Sequence, residues 1–421
     1  MRSLDDWLSY QQRVHARAVD MSLERVTEVA RRLQVISGTA RIATIGGTNG
    51  KGSTATTLAS LLRACGQNVG LFTSPHLVRY NERIQIDGAP VSDAQLQSAF
   101  EQVEQARGDI TLTFFEYSTL AALHLFRRAS VDTMVLEVGL GGRLDATNIL
   151  DADVAIVCSI GLDHREYLGE TLELIGAEKA GIFRPGQRVV LGSRDMPASV
   201  TMRAQTLGCE VWLAERDFHW EHRSGGGPWG YRSRLGQLES LPAPSLSGEI
   251  QYRNAATALT ALRLLALPAD CNADTVARGL KQVRLSGRFQ VVPGDIGWIL
   301  DVAHNEPAAA VLAAALQAVP ASGRTLAVAG MLIDKDVGAI ARRLAPLIDQ
   351  WVLVGISDDA RGLTARALHE RMGASPGSVE LADDVPSGCA RALALAQPGD
   401  RIVVLGSFHV VGPALMWLGL Y

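Results

Sequence analysis

The chain is poor in the features that mark extreme protein classes. It has no Cys-x-x-Cys pair, only 5% aromatic residues, and 40 basic residues set against 44 acidic ones. The five cysteines (Cys65, Cys158, Cys209, Cys271, Cys389) are odd in number and widely spread, which excludes a disulfide-stapled scaffold or a zinc ribbon and reads as free thiols in a reducing cytosol. Without an excess of Lys and Arg there is no electrostatic basis for nucleic acid as the main partner. Long apolar runs are missing too. The stretch 308–319 is broken by Gln317 and falls short of the roughly 18 residues a membrane helix requires. The first fourteen residues carry Arg2, Asp5, Asp6 and Arg13 without an apolar stretch of signal-peptide length, so a cytoplasmic location is expected.

What is present is 421 residues, 47% of them hydrophobic, enough chain for two or three domains of an ordinary soluble enzyme. Short β-branched runs alternate with longer helical patterns, the mark of βαβ units around a mainly parallel sheet. In the first block, strands are predicted at 41–45, 69–73, 133–138, 154–160 and 188–191, with helices at 53–64 and 115–128. In the second, strands are predicted at 298–302, 325–329, 351–354 and 401–405, with an Ala-rich helix at 307–319. A segment rich in Gly, Pro and Ser (223–249) lies between, followed by helices near 252–267 and 273–282. The expected fold class is therefore α/β. A P-loop-type ATPase domain with a mainly parallel sheet spans 1–286, and a smaller Rossmann-like, doubly wound domain spans 287–421.

The strongest local signal is Ile42 to Ser53, an apolar strand running into Gly46-Gly47-Thr48-Asn49-Gly50-Lys51-Gly52-Ser53 and then a helix. Glycines let backbone N–H groups converge on phosphates, the helix N-terminus adds positive potential, and Lys51 supplies a mobile cation. The general spacing is not met: three residues separate Gly46 from Gly50, and Gly52 occupies the place of the usual Ser or Thr. A second strand ends on Glu137 before Gly139-Leu-Gly141-Gly142-Arg143-Leu144-Asp145, like the acidic metal-holding strand of P-loop nucleotidases. Leu144 stands where a dinucleotide fingerprint needs its third glycine. Ser74, Glu137 and His164 each follow a different strand at its carboxyl end, where parallel sheets build sites, and together they could hold Mg²⁺. Taken by composition alone, Glu178-Lys179 reads as a solvated helix face. In the second block, Asp301, His304, Ser407 and His409 follow apolar strands and could pair for catalysis or orient a substrate, whereas His219 and His222 are not taken as metal ligands.

These motifs resemble the dihydrofolate synthase/folylpolyglutamate synthase family, relatives of the Mur peptidoglycan ligases. The likeness rests on segments 20–26, 47–53, 74–77, 113–116, 137–148, 163–164, 178–182, 287–290, 301–305 and 406–409, and so spans nearly the whole chain. The shortened phosphate loop is the form this family uses. The resemblance implies that Thr48, Asn49, Gly50, Lys51, Gly52 and Ser53 bind ATP, with Asn254, Arg288 and Asp301 completing the nucleotide site. It implies Mg²⁺ at two sites, held by Ser74, Glu137, His164 and Lys179, the lysine being N6-carboxylated. The pterin acid would lie against Asp20, Met21 and Ser22, against Thr113, Phe114, Phe115 and Glu116, and against Leu144, Asp145 and Ala146. Lys51 and Lys179 would be catalytic, and His304 and Ser407 would orient glutamate. Glu166 stands where relatives often carry aspartate. The implied reaction joins L-glutamate to dihydropteroate and then to reduced folates through an acyl phosphate, in a monomer that uses neither nucleic acid nor a membrane. A muramyl ligase on the same scaffold and a nucleotide-driven switch are the competing readings. No Asn-Lys-x-Asp guanine-reading motif supports the switch.

Overall fold

The computed structural model describes residues 2–222, 227–265, 271–373 and 377–421. Among the described residues, seventeen strands form three sheets. In chain order they are β1 (Arg41–Gly46), β2 (Val69–Phe72), β3 (Ile84–Ile86), β4 (Ala89–Pro90), β5 (Thr133–Glu137), β6 (Val154–Val157), β7 (Arg188–Leu191), β8 (Glu210–Leu213), β9 (Phe218–His222), β10 (Trp229–Ser233), β11 (Gly236–Leu241), β12 (Gln290–Val292), β13 (Gly297–Asp301), β14 (Thr325–Ala329), β15 (Gln350–Val354), β16 (Ser378–Ala382) and β17 (Arg401–Leu405).

The first sheet runs β4-β3-β2-β5-β1-β6-β7-β8. Its strands from β2 to β8 are parallel, and β3 and β4 join antiparallel at one edge. Every residue of β2, β5 and β6 is buried, as expected of short apolar strands covered on both faces. The chain winds outward from β1 in one direction through β5 and β2 and in the other through β6 to β8. The carboxyl end of β1 is therefore a topological switch point, where open α/β sheets hold ligands. On one face the helix Lys51–Ala64 packs against the helices Ile250–Leu264 and Ala273–Gln282, and ten of its fourteen residues are buried. On the other, Leu4–Val14 and Glu24–Arg32 pack on Asp93–Arg107 and Phe114–Arg128 over a core that includes Trp7, Phe100, Tyr117 and Phe126.

The third sheet, β12-β13-β17-β14-β15-β16, is parallel except for β12, and helices cover both faces. The α/β expectation holds, and β7, β14 and β17 have the predicted bounds. What the sequence reading left out is the small antiparallel sheet β11-β10-β9, inside the segment taken as an irregular insert. Trp229 and Tyr231 alternate to one side of β10 and rest on the helix Ile250–Leu264, where the Tyr231 hydroxyl meets Thr260 Oγ1 at 2.9 Å. Residues 223–226 of that insert lie outside the described residues, as do 266 and 267 at the end of the helix predicted at 252–267.

The expectation of five free thiols is corrected. Cys65, just past the phosphate-loop helix, is bonded to Cys271, ahead of the helix Ala273–Gln282, with Cα atoms 5.2 Å apart. The two residues are 206 positions apart in sequence, and only the packing of those two helices brings them together. Cys158, Cys209 and Cys389 are free. Among the described residues no helix is long and apolar enough to cross a membrane.

Candidate active site

The phosphate loop leaves β1 at Gly46 and reaches the helix Lys51–Ala64 through Gly50 at φ +88°, a left-handed conformation that favours glycine. Gly50 offers no side chain to cap the helix, so the N–H groups of the first turn face the loop, which suits an anion. Lys51 Nζ folds back to the carbonyl oxygens of Gly47 (3.1 Å) and Thr48 (3.2 Å). The Thr48 hydroxyl is committed to the neighbouring loop: it donates to Gly161 O (3.1 Å) and accepts from Gly161 N (3.0 Å). Thr48 thus holds the shape of the cradle.

Side chains from four directions converge on this loop. A Cβ placed on Gly52 would come within 3.6 Å of a Glu137 carboxylate oxygen and 3.7 Å of an Arg288 guanidinium nitrogen. A Cβ on Gly50 would meet Asn254 Oδ1 at 2.9 Å. Glu137 is 4% exposed and accepts from Ser74 N at 3.2 Å. Burial pushes its carboxyl above the usual range, and the charge of Lys51 opposes that rise. A buried acid that draws only partial compensation from its neighbours is the kind of donor a divalent cation satisfies. Ser74 and Glu137 are thus brought together, while the His164 ring lies beside Asp163, with Nε2 3.9 Å from Oδ2. Burial, against the pull of Asp163, brings the pKa of His164 down to about 4.

Lys179 ends the helix Leu172–Lys179 and is 4% exposed, with Nζ 3.0 Å from Gly47 O. Burial, then the like charge of Lys51, lowers its pKa to about 7. No carboxylate lies within ion-pairing distance of it among the described residues. The reading of Lys179 as a solvated face is therefore overturned by its burial.

The third sheet lends its own groups. Asp301, at the end of β13, accepts from Phe289 N and Ala303 N, both at 2.8 Å, and so shapes the turn that carries Arg288. Arg288 lies over the Phe408 ring at 5.1 Å. His304 approaches Asp163 Oδ2 at 3.5 Å and donates from Nδ1 to Val302 O at 2.7 Å. Ser407 caps the helix Phe408–Trp417, receiving His409 N at 3.2 Å, while His409 turns to Asp358 (3.0 Å). Outside the site, His222 stacks on Tyr252 with ring centroids 4.0 Å apart.

Two residues were given no role in the sequence reading, although Asn305 ends the 301–305 motif. Asn305 is 4% exposed and exchanges amide hydrogen bonds with Asn49 (3.0 and 3.2 Å), donates to Asp163 Oδ2 (2.9 Å) and caps the helix Glu306–Ala318 through Ala308 N (3.0 Å). Lys335 bridges Asp163 (2.7 Å) and Asp334 (2.9 Å). Asp163, His164 and Asp334 have ligand atoms within 4.8 Å of one another, but the Lys335 ammonium already supplies the cation there. The only sequence trace of Lys335 is its place past an apolar strand, the same position that drew attention to His304.

The segments expected to hold the pterin acid are also gathered. Arg25 joins Asp20 (3.3 Å) to Glu116 (3.2 Å). Thr113 and Glu116 form a capping box at the start of the helix Phe114–Arg128. Phe115 sits directly under Gly139, where a Cβ would clash at 2.6 Å, and Met21 reaches within 3.4 Å of the equivalent point on Gly141. Asp145 spends both carboxylate oxygens on Gly139 N, Leu140 N and Thr147, which fixes the loop containing Leu144 and Ala146.

A phosphate cradle at the switch point of one parallel sheet, facing arginine and histidine side chains carried by a second, defines an ATP-dependent ligase. Residues 45–217 match the Mur ligase middle domain, and 287–408 match the Mur ligase glutamate ligase domain. The chain is 44% identical over 408 residues to the dihydrofolate synthase/folylpolyglutamate synthase of Escherichia coli (strain K12), covering 97% of this chain and 94% of that one. It superimposes on E. coli FolC in complex with DHPP and ADP with a TM-score of 0.93 at 42% identity, covering 99% and 98% of the two chains. A bifunctional folylpolyglutamate synthase/dihydrofolate synthase with Mn, AMPPNP and L-glutamate bound gives a TM-score of 0.91 at 40% identity, covering 100% and 99%. The chain belongs to the dihydrofolate synthase/folylpolyglutamate synthase family of Mur ligases.

Proposed function

We propose that this chain adds L-glutamate to dihydropteroate and further glutamates to the γ-carboxyl of reduced folates. The observation that carries the reading is the convergence of Glu137 and Arg288 on Gly52 beside Lys51, which collects positive charge and one metal-binding acid at a single phosphate seat. In this reading residues 1–286 bind ATP and the pterin acid, and residues 287–421 bring Arg288, Asp301, His304 and Ser407 to them. Thr48 to Ser53 and Asn254 hold the nucleotide. The gathered Asp20–Ser22, Thr113–Glu116 and Leu144–Ala146 segments hold the pterin acid.

A carboxylate is a poor acyl electrophile, so ATP first activates it. A substrate carboxylate oxygen bonds to the γ-phosphorus as the bridge to the β-phosphate breaks, giving an acyl phosphate and ADP. The neutral amine of glutamate then forms the C–N bond, phosphate leaves, and the amine gives up a proton. Lys51 and Arg288 offset charge on the transferring phosphoryl group, which is the main source of rate in such reactions. Ser74, Glu137, His164 and an N6-carboxylated Lys179 would hold two magnesium ions, which neutralise phosphate charge when bound. The depressed pKa of Lys179 supports the modification, because the amine must be unprotonated to take up CO₂. His304 and Ser407 orient glutamate, and the protein acts as a cytoplasmic monomer.

The test is phosphate release from ATP and Mg²⁺ with dihydropteroate plus glutamate, and separately with tetrahydrofolate plus glutamate. Mass analysis is expected to show one added glutamate on each acid. Addition to neither would overturn the reading.

A further inference from the structure

Arg83 ends the short 3-10 turn Tyr80–Arg83 that follows the Ser74 loop, and none of the motifs in the sequence singles it out. It is 8% exposed, yet no carboxylate lies within ion-pairing distance of it among the described residues. Its Nε donates to His76 Nδ1 at 2.8 Å, and its Nη1 and Nη2 have no protein partner among the described residues. A guanidinium can only donate, so His76 Nδ1 is the acceptor, and an imidazole acceptor brings no negative charge to the pair. The two nearest acids are engaged elsewhere. Glu82 accepts from Leu77 N, Val78 N and the Tyr421 hydroxyl, and Glu137 from Ser74 N. A guanidinium cannot lose its charge in a protein, and burying one without an anion is costly. The fork is therefore set for an anion that the chain itself does not provide.

Where that anion belongs follows from what surrounds the fork. The guanidinium carbon lies over the rings of Tyr80 (5.5 Å) and of Phe114 (5.4 Å), the latter in the Thr113–Glu116 segment proposed to line the pterin-acid pocket. Arg83 O accepts from Thr73 N at 2.9 Å, next to Ser74, whose N–H is bonded to Glu137 at 3.2 Å, so the turn carrying Arg83 abuts the phosphate-seat side of the site. A group between an aromatic substrate wall and the phosphate seat is where the acid's reacting carboxylate has to lie.

We propose that Arg83 binds the substrate carboxylate through its free guanidinium edge and keeps hold of that group as it becomes the acyl phosphate. This rests on the proposed function and adds the residue that recognises the reacting end of the acid. A planar fork matches the two oxygens of a carboxylate and can follow them to a phosphate without a change of charge. Arg83 thereby selects acids over neutral pterins of the same shape.

The test compares dihydropteroate with its decarboxylated analogue, in which aniline replaces the aminobenzoate, in wild type and in Arg83→Met, both with AMPPNP and Mg²⁺ present. The methionine keeps the apolar stem between Tyr80 and Phe114. Arg83→Met is expected to weaken dihydropteroate binding on the order of 10²-fold, the loss typical of removing one partner of a buried charge pair. Binding of the analogue and of AMPPNP should stay unchanged, the latter also showing that the site is folded. Arg83→Lys should fall between the two in KM for the acid, with charge kept and the fork lost. Equal weakening of acid and analogue would make Arg83 structural and overturn the proposal, and so would weakened AMPPNP binding, which would assign the fork to ATP. A wild type that binds neither pterin contradicts the proposed function itself.

Discussion

Lys51 rests on the carbonyl oxygens of its own loop, so the nucleotide must draw the ammonium away from Gly47 and Thr48 to use it. The Lys51→Ala variant loses one charge stabiliser. It is expected to keep its thermal transition while phosphate release falls on the order of 10² to 10³-fold, roughly 3 to 4 kcal/mol of transition-state stabilisation. Near-normal turnover in that variant would remove the phosphate loop from the account. At this scale the strand-end residues were legible because a parallel sheet gathers the carboxyl ends of its strands, whatever their separation in sequence. That logic reached Ser74, Glu137, His164, Asp301 and His304. It could not show that Thr48 is spent on Gly161, that Asp145 is spent on backbone N–H groups, or that Lys179 is buried, because each depends on a partner from a distant loop.

Two helices carry single side-chain anchors whose loss can be measured. The helix Glu306–Ala318 is capped by Asn305, whose amide also pairs with Asn49 of the phosphate loop. The Asn305→Ala variant loses a cap worth about 1 kcal/mol and leaves Asn49 unpaired. Its melting temperature should drop and its KM for ATP should rise; an unchanged KM would mean that Asn49 does not need this partner. The helix Leu4–Val14 is tied down by Tyr10, whose hydroxyl meets Glu104 at 2.8 Å beside Arg107. Burial would raise the Glu104 carboxyl, but its hydrogen bonds to Arg107, Tyr117 and Tyr10 outweigh that and hold it below the usual value. A carboxyl whose folded pKa is depressed stabilises the protein above the unfolded value, about 4.3, and loses that contribution as pH falls through the folded pKa. Replacing Glu104 with Gln should therefore lower stability at pH 7 and flatten the acid limb below about pH 4.3, as followed by urea unfolding. An unaltered acid limb would show that Glu104 is not what titrates. Helices and buried parallel strands were readable because their apolar patterns are long or continuous. The strands β9, β10 and β11 were hidden by Gly, Ser and Pro around them, although Trp229 and Tyr231 carry the two-residue period of a half-buried strand.

Across the whole molecule, the clearest divergence from expectation is the Cys65–Cys271 bond, which joins the helix after the phosphate loop to the helix Ala273–Gln282. Protein denatured without reductant should titrate three thiols and, after reduction, five. Five before reduction would show the pair to be open in solution. Spacing said nothing of this pair, since 206 residues of chain, including most of the first sheet, must fold before the two sulfurs meet. The larger architecture was readable, because two runs of alternating strands and helices read as parallel sheets covered by helices, and motifs at the strand ends meet where Asn305, His304 and Lys335 contact Asn49 and Asp163. The central claim is that this site joins glutamate to a pterin acid at the expense of ATP. The most direct test is to incubate the protein with ATP, Mg²⁺, dihydropteroate and L-glutamate and follow product mass and phosphate release together. The account predicts one phosphate released for each glutamate gained by the acid, and no release when either the acid or glutamate is withheld. Steady phosphate release without the acid, or release with no gain of mass, would contradict it.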